Sequence, residues 1–196
     1  VAETIPWSDS FETAGLTEWT NTDSSPWKEG LAASYEAPPS AVQDGSSAIY
    51  FDDYSYSTGN SGTITSPEIS LSGATAPQLT FYYADNAASG NGDTVEVVLG
   101  DGTVIYTTPA ETTDWELQTV DLTAYVGQTI TIGFKGTSVY GYSNPHVDNV
   151  TVAEAPYTGE SLPWSDSFET TGIPEWTNDA NYPWKEGLAA SYEAPP

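Results

Sequence analysis

Apolar residues recur at every second position along most of this chain. The alternation is clearest in three runs, at 79–83 (LTFYY), 95–99 (VEVVL) and 130–134 (ITIGF). A period of two is typical of strands that bury one face and expose the other. Only 31–37 has a helix-forming composition, and it is too short to form a stable helix alone. The pattern therefore predicts an all-β protein.

Two segments predict particular backbone geometry. The segment at 95–108 (VEVVLGDGTVIYTT) predicts a hairpin that closes on Asp101-Gly102, a favoured pair for a tight primed turn. In the run HVDNVTV at 146–152, Val147 and Val150 both suit a core but differ in period-two phase. We expect a β-bulge between them, which would change the direction of the Asp148 or Asn149 side chain.

Eight or so short strands without a helical stretch predict an antiparallel two-sheet β-sandwich. A unit of about 150 residues can bury roughly 70% of its unfolded surface, so it needs no covalent staples. The chain has no cysteine, which excludes disulfides, thiolate catalysis and cysteine-ligated zinc.

The chain contains one passage twice. Residues 5–39 and 162–196 align without a gap at a constant offset of 157, and 27 of the 35 positions are identical. A repeat of this length corresponds to whole domains in tandem rather than to a small solenoid unit. We expect a chain cut from a longer array. Arrays of this kind extend a protein over a long distance and present many copies of one domain.

The repeat predicts four segments. Residues 1–4 would be the tail of a preceding repeat, and 5–154 one complete sandwich. A short linker at 155–161 would then lead into a truncated next repeat at 162–196. Because the linker is too brief to act as a free tether, adjacent units are expected to form a semi-rigid rod.

The net charge of −25 arises from 28 acidic residues set against three lysines and no arginine. Such a surface repels phosphate backbones and anionic lipids, so neither nucleic acid nor a membrane is an expected partner of this segment. Two interpretations of the acidity stay open. One is solubility in a salty medium that screens the charge, and the other is cation binding.

Little in the sequence supports catalysis. There is one histidine, His146, and no Gly-x-Ser-x-Gly nucleophile elbow. A carboxylate pair for glycoside hydrolysis is available among the 28 acids, yet no pair is marked. The sequence predicts a protein that is not an enzyme, with His146 structural or incidental.

An ordered set of motifs resembles a known family. It begins with Phe11-Glu12, Trp19 and Trp27, continues through ITSPEISLSG at 64–73 and QLTFYYA at 78–84, and ends with Trp115, 120–136 and HVDNVTV. The set resembles the jelly-roll family of MAM, choice-of-anchor J and cleaved-adhesin domains of large secreted or surface proteins. Many carbohydrate-binding modules share a similar signature.

The resemblance implies a structural calcium ion that ties the first strand to the last. The matching positions are Glu12 and Asp148, with Asp9 and Asp44 as additional donors. Hard oxygen ligands of this kind suit calcium. The second copy repeats Asp9 and Glu12 as Asp166 and Glu169. The alternative is that these are solvated acids at strand ends.

Other acids and aromatics leave two interpretations open. The loop from Asp85-Asn86 to Asp93 has a calcium-like composition but equally suits a hairpin turn, and Asp52-Asp53 carries the same ambiguity. Trp19, Trp27 and Trp115 are expected to pack in the core or at a sheet edge. Four tyrosines in Ser/Gly-rich stretches are candidate contacts for a glycan or partner, or else pack against the sandwich: Tyr54, Tyr56, Tyr140 and Tyr142.

Two functions follow from these features. The first is a structural or adhesive repeat of a long extracellular fibre on a bacterial cell surface, stabilised by calcium and in contact with neighbouring copies of itself. The second is a carbohydrate-binding module that gains avidity from repetition. Surface glycans or other cell-surface proteins would be the partners in either case.

Overall fold

The computed structural model describes residues 1–21, 26–34, 37–55, 58–86, 93–139 and 143–156. The chain divides into two units, Val1–Ala155 and Pro156–Pro196. Apart from Pro156, the second unit lies outside the described residues, and with it the predicted second repeat, Asp166 and Glu169.

Strands account for nearly all of the regular structure in the first unit, as the period of two predicted. A turn of 3-10 helix at Thr123–Tyr125 is also present. The strands are Glu3–Thr4 (β1), Trp7–Asp9 (β2), Thr20–Asn21 (β3), Trp27–Glu29 (β4), Ile49–Phe51 (β5), Ser61–Thr65 (β6), Ile69–Ser70 (β7), Pro77–Ala84 (β8), Thr94–Leu99 (β9), Val104–Thr107 (β10), Glu116–Asp121 (β11), Thr129–Ile130 (β12), Ile132–Thr137 (β13) and His146–Glu154 (β14).

Two large antiparallel sheets form the layers of the sandwich. One has the strand order β10-β9-β13-β6-β3, and the other has the order β11-β8-β14-β5-β4, with β2 also paired to β14. This confirms the predicted all-β, antiparallel sandwich. A third, small sheet of order β1-β7-β12 was not predicted. Its β1 pairs in parallel with β7, so Glu3 and Thr4 join the sandwich although the repeat boundary placed them before it.

The core lies between the two large sheets and is dominated by aromatic rings. Phe81 of β8 and Phe134 of β13 come from opposite sheets, and their ring centroids are 5.0 Å apart. Trp19 and Trp27, which are 6% and 2% exposed, both pack against Phe134. The predicted core role of these two tryptophans is therefore confirmed.

The hairpin predicted at 95–108 is present as β9 and β10, but its turn differs from the prediction. Both primed turns need positive φ at the first central residue, and type I′ needs it at the second as well. Of the pair Asp101-Gly102, only Gly102 has a positive φ, at 85°. Gly102 N–H donates to Leu99 O, and Leu99 N–H donates to Thr103 O. The connection is therefore a three-residue loop closed by a left-handed glycine, and the predicted two-residue primed turn is wrong.

The bulge predicted in the last strand is confirmed. The pairing of β14 with β8 shifts register between Asp148 and Thr151, and Asn149 adopts a φ of 48°. Asparagine tolerates this left-handed conformation better than most residues. The shift lets Val147 and Val150 both reach the core with no exposed surface, as their phase difference required.

The bulge coincides with a change of neighbour along one edge of β14. Before the bulge, Val147 pairs with Ile49 of β5; after it, Val150 pairs with Asp9 of β2. Residues 43–47, which lead into β5, therefore lie beside the end of β2. This junction places the sequence-predicted carboxylates in one neighbourhood.

Candidate functional site

Two groups of carboxylates stand out from the remaining acids. We call Asp9, Glu12 and Asp148 the bulge carboxylates, because they surround the junction of β2, β5 and β14. We call Asp53, Asp85 and Asp93 the buried acid cluster, because all three are 0% exposed.

Asp148 holds the residues 43–44 against the bulge. Its Oδ2 accepts the backbone N–H groups of Gln43 and Asp44 at 2.9 and 3.0 Å, and its Oδ1 accepts that of Asn149 at 2.7 Å. Burial raises the pKa of Asp148 to about 6, although these hydrogen bonds favour the ionised form. Asp44 contributes its backbone N–H here, rather than its carboxylate.

Glu12 holds the next part of the same loop. Its Oε1 accepts the N–H groups of Ser46 and Ser47, both at 2.9 Å, and its Oε2 accepts the Ser46 hydroxyl at 2.7 Å. The Ser46 hydroxyl, followed by the two backbone donors, lowers the pKa of Glu12. Gly45 lies under this carboxylate with a φ of +62°, where a Cβ would collide with the Glu12 carboxylate.

Asp9 closes the turn that follows β2. Its Oδ1 accepts Phe11 N–H at 2.7 Å, and its Oδ2 accepts the Trp19 indole N–H at 2.8 Å. Phe11 has a φ of 60° and is 1% exposed, so Asp9 stabilises a turn that directs this ring into the core. Asp9 thus joins the backbone of the first strand to two core aromatics.

The structure brings Asp9, Glu12 and Asp148 to one region, where the carboxylate of each accepts N–H donors. Their oxygen chemistry fits calcium. A carboxylate offers about four lone pairs, and Glu12 and Asp148 each use three of them on protein donors. Each would contribute one remaining lone pair to an ion. Across the described ranges, no three His, Cys, Asp or Glu side chains are already arranged to hold a metal.

The buried acid cluster lies at one end of the sandwich, where strands of both sheets begin or end. Asp53 follows β5 and Asp85 follows β8 in one sheet, while Asp93 precedes β9 in the other. Asp85 Oδ2 accepts Asp93 N–H at 3.1 Å, and Asp93 Oδ1 accepts Val139 N–H at 2.8 Å. The cluster therefore joins loops from the two layers.

Several oxygens of the cluster lack a hydrogen-bond partner among the described residues. These are both oxygens of Asp53 and the Oδ2 of Asp93. Burial raises the pKa of Asp93 to about 8, against the Val139 hydrogen bond, and the nearby carboxyl groups of Asp53 and Asp85 raise it further. In electrostatic terms this is the opposite of Glu12, whose pKa is lowered.

A tyrosine hydroxyl completes the surroundings of the cluster. Tyr83 is fully buried, and burial, Asp85 and Asp93 raise the pKa of its hydroxyl well above the usual value. Thr108 lies beside this hydroxyl, yet the geometry gives it no hydrogen bond within the described part of the chain. The hydroxyls of Ser138 and Ser143, 2% and 0% exposed, are likewise unsatisfied there.

The sequence left the acids of this cluster open between turns and metal ligands, and it did not group them. Asp52, the neighbour of Asp53, has a different role because it pairs with Lys28. Two signals were nevertheless present. Asp53, Asp85 and Asp93 each adjoin a strand end in a chain with very few bases, and Asp85 directly follows the apolar run of β8.

His146 is a structural residue, as predicted. It is fully buried, its Nε2 accepts Ala32 N–H at 3.1 Å, and its ring stacks on Tyr50. This bond places the proton of the neutral ring on Nδ1. Burial lowers its pKa to about 4. Trp115 packs edge-on against the same ring and donates its indole N–H to Ala41 O at 2.8 Å.

Of the four tyrosines predicted as contacts, Tyr54 is described and is 47% exposed. Its backbone N–H donates to Asn144 Oδ1 at 3.0 Å, which fixes this loop beside the buried acid cluster. Tyr56, Tyr140 and Tyr142 lie outside the described residues. Within the described segments, no helix is long and apolar enough to cross a membrane.

Comparison with known proteins shows the fold. No protein-family model matches the sequence, and no curated protein matches it. The K1 cleaved adhesin domain of Lys-gingipain from Porphyromonas gingivalis is 16% identical, with a TM-score of 0.57 over 76% of this chain and 98% of that chain. The K2 domain of Lys-gingipain is 15% identical, with a TM-score of 0.59 over 77% and 99%.

A sugar-binding protein has a similar fold. TmCBM61, solved in complex with β-1,4-galactotriose, is 15% identical, with a TM-score of 0.51 over 74% of this chain and 94% of that chain. The chain therefore has the jelly-roll fold that cleaved adhesin domains and this sugar-binding protein share. The likeness to cleaved adhesin domains, predicted from motifs, is confirmed at the level of fold.

Proposed function

We propose that the domain is a non-catalytic, adhesive binding unit of a secreted or cell-surface protein. The observation that carries this proposal is the likeness to cleaved adhesin domains, which extends over 98–99% of their length. The whole sandwich is shared, rather than a common substructure. The net charge of −25 on the whole chain favours solubility when many copies are close together.

The duplicated passage supports a role in a tandem array on a bacterial surface. In such an array neighbouring copies contact one another, and the outer units meet surface glycans or cell-surface proteins. Many weak contacts along one chain then add up to firm attachment. The membership of MAM or choice-of-anchor J families stays a prediction from the motifs.

Adhesion is tested with beads that carry the purified chain. We expect the beads to attach to a subset of immobilised glycans or extracellular proteins, and beads that carry a heat-unfolded sample not to attach. Sedimentation of the free chain measures contact between copies. A monomer that binds neither glycans nor proteins would contradict the proposal.

We include the family-type calcium ion at Glu12 and Asp148 in this proposal. Its support is the convergence of Asp9, Glu12 and Asp148 on the junction of β2, β5 and β14, with one lone pair left on each of the last two. Calorimetric titration of the chain with calcium is expected to lose one binding event in Glu12→Gln. An unchanged titration in that variant would remove calcium from this junction.

A carbohydrate-binding module is the alternative function. It is favoured by Tyr54, an exposed ring on a loop that Asn144 holds in place, and by the likeness to TmCBM61. Tyrosine rings stack on sugar faces. Glycan-array binding that is lost in Tyr54→Ala would favour this alternative. Val104→Ala, at a site of similar exposure (46%) on β10, is the matched control.

A further inference from the structure

The buried acid cluster presents a problem of charge. Three carboxyl groups with no exposed surface meet at one end of the sandwich, and burying an uncompensated carboxylate is costly. The whole chain has three basic residues, all lysine. Lys28 pairs with Asp52, and Lys135 pairs with Glu96 at 2.8 Å. The described lysines are therefore engaged with other acids.

A second observation is independent of the three acids. The Tyr83 hydroxyl is fully buried, close enough to Asp85 and Asp93 that their charges add to the effect of burial in raising its pKa, and it makes no hydrogen bond within the described ranges. Ser138 precedes Val139, which donates to Asp93, and its buried hydroxyl is unsatisfied as well. Buried polar groups without protein partners are rare in folded proteins, and those that occur often contact a bound ion or water molecule.

We propose that Asp53, Asp85 and Asp93 bind a calcium ion that ties the two sheets together at this end of the sandwich. The site is separate from the bulge carboxylates and does not depend on the adhesive function. Asp53 and Asp93 supply three oxygens that accept no hydrogen bond from described residues, and Asp85 borders them through its bond to Asp93 N–H. The three side chains are not already arranged around one metal position, so binding requires them to turn toward the ion.

The chemistry of the donors selects calcium among the common ions. All of them are hard oxygens, which excludes the nitrogen and sulfur environment that zinc prefers. Calcium accepts six to eight oxygen ligands in irregular geometry, including carboxylates, carbonyls and water. Magnesium requires a near-ideal octahedron and retains most of its water, so a buried cluster between loops suits it poorly.

Binding at this position has a structural consequence. Asp53 and Asp85 extend from β5 and β8 of one sheet, and Asp93 leads into β9 of the other. An ion coordinated by these three carboxylates would link the two sheets at the end of the sandwich, outside the apolar core. It also offsets the repulsion among three negative charges that burial would otherwise strengthen.

The first experiment measures metal binding directly on the 196-residue chain. Terbium is the probe, because excitation of nearby aromatic rings such as Tyr83 sensitises its emission. We expect sensitised emission that calcium displaces and magnesium at equal concentration does not. Asp53→Asn and Asp93→Asn should each reduce calcium affinity at this site at least tenfold. Glu18→Gln, which removes one exposed negative charge, is the matched control.

The second experiment measures stability and remains informative if binding is weak. At a calcium concentration about 100-fold above the dissociation constant, the Tm of the wild type should rise by roughly 5–10 °C over its value in chelator. In Asp53→Asn this rise should shrink. In chelator, Asp53→Asn should melt above the wild type, because the variant removes a buried charge. A structural role as hydrogen-bond acceptor would predict the reverse.

The two calcium proposals are separated by crossing their variants. Glu12→Gln should leave the Asp53-dependent calcium response intact, and Asp53→Asn should leave the Glu12-dependent one intact. The Asp53 site is overturned if calcium binding and Tm are the same in the wild type, Asp53→Asn and Asp93→Asn. It is also overturned if magnesium binds as tightly as calcium. Neither result bears on adhesion, which the bead assay tests by itself.

Discussion

The bulge carboxylates and the buried acid cluster contrast in how their charge is compensated. Glu12 and Asp148 each accept three hydrogen bonds, most of them from the backbone of residues 43–47 and of Asn149. Asp53 accepts no N–H group of the described residues, although it is 0% exposed, and it faces the carboxyl group of Asp93 instead. Glu12 is exposed, but burial alone does not explain the contrast, since Asp148 is as fully buried as Asp53. The two groups differ in how many N–H donors lie within hydrogen-bonding distance of their carboxylates.

The contrast indicates two uses of an acidic side chain in one fold. At the bulge, a carboxylate replaces the missing strand partner and satisfies backbone N–H groups that have left the ladder. At the end of the sandwich, carboxylates converge where backbone donors are few, so their charge calls for a cation. The predictions below test this difference.

The largest effect is expected from Asp148→Ala measured in chelator. The change leaves the N–H groups of Gln43, Asp44 and Asn149 without their acceptor, at a cost of about 2–3 kcal/mol. Thermal melting should show a decrease in Tm of roughly 5–10 °C. Asp148→Asn keeps one acceptor oxygen and should lose about half as much. If Asp148→Ala in chelator matches the wild type, the bulge carboxylate does not stabilise the loop.

The next effect is a dependence of stability on pH in the absence of calcium. Asp93 has a folded-state pKa of about 8 against 3.8 for the free side chain, so the folded state binds the proton more tightly. Its contribution is full below pH 3.8 and is lost as pH rises through 8. The slope is at most about 1.4 kcal/mol per pH unit.

The window from about pH 6.5 to 8 separates Asp93 from its neighbours. Asp148, with a pKa of about 6, is largely ionised there, and His146, with a pKa of about 4, is neutral. Denaturant unfolding in chelator should show stability decreasing across this window. Asp93→Asn should flatten the decrease, and saturating calcium should do the same in the wild type. A wild type whose stability is constant across that window would argue against a buried, protonated Asp93.

The smallest effect compares two glycines with positive φ. Gly45 and Gly127 both require the left-handed region, at +62° and +80°, so alanine strains the backbone at each. At Gly45 the new Cβ also displaces the Glu12 carboxylate, whereas at Gly127 nothing lies within 4 Å. Gly45→Ala should therefore be less stable than Gly127→Ala by about 1 kcal/mol. Equal losses in denaturant unfolding would show that Glu12 contributes nothing measurable.

Much of the fold follows from the sequence where strands are long and alternate regularly. The strands β8, β9 and β13 were evident from their period, and the bulge followed from the phase of Val147 and Val150. The small sheet was not predicted, because β1, β7 and β12 have two residues each, too few for any alternation. The hairpin turn was assigned to the wrong class, since Asp-Gly occurs in more than one loop type.

The sites were predicted unevenly for a similar reason. Motif order pointed to Asp9, Glu12 and Asp148, and the structure places all three around one junction, while calcium there stays a prediction. The acids Asp53, Asp85 and Asp93 meet only because β5 and β8 end, and β9 begins, at the same side of the sandwich. Such a meeting depends on strand order, which the sequence did not specify.

The short pairing of β2 with β14 has a consequence for how the chain folds. Trp7–Asp9 occupies an edge that Val150–Val152 offers, and the second copy carries the same Trp-Ser-Asp sequence at 164–166. Trp164 of the second copy follows Val152 by 12 residues, whereas Trp7 precedes Val152 by 145. Loop-closure entropy favours the nearer strand by about 2 kcal/mol.

Two segments of identical sequence, 7–9 and 164–166, could therefore pair with the same edge of β14. Strand exchange between neighbouring units is the characteristic misfolding hazard of tandem repeats. During synthesis the first copy leaves the ribosome well before the second, so it meets β14 without competition. Refolding from denaturant removes that advantage in time, and the two Trp-Ser-Asp segments would then compete for β14 according to their distance along the chain.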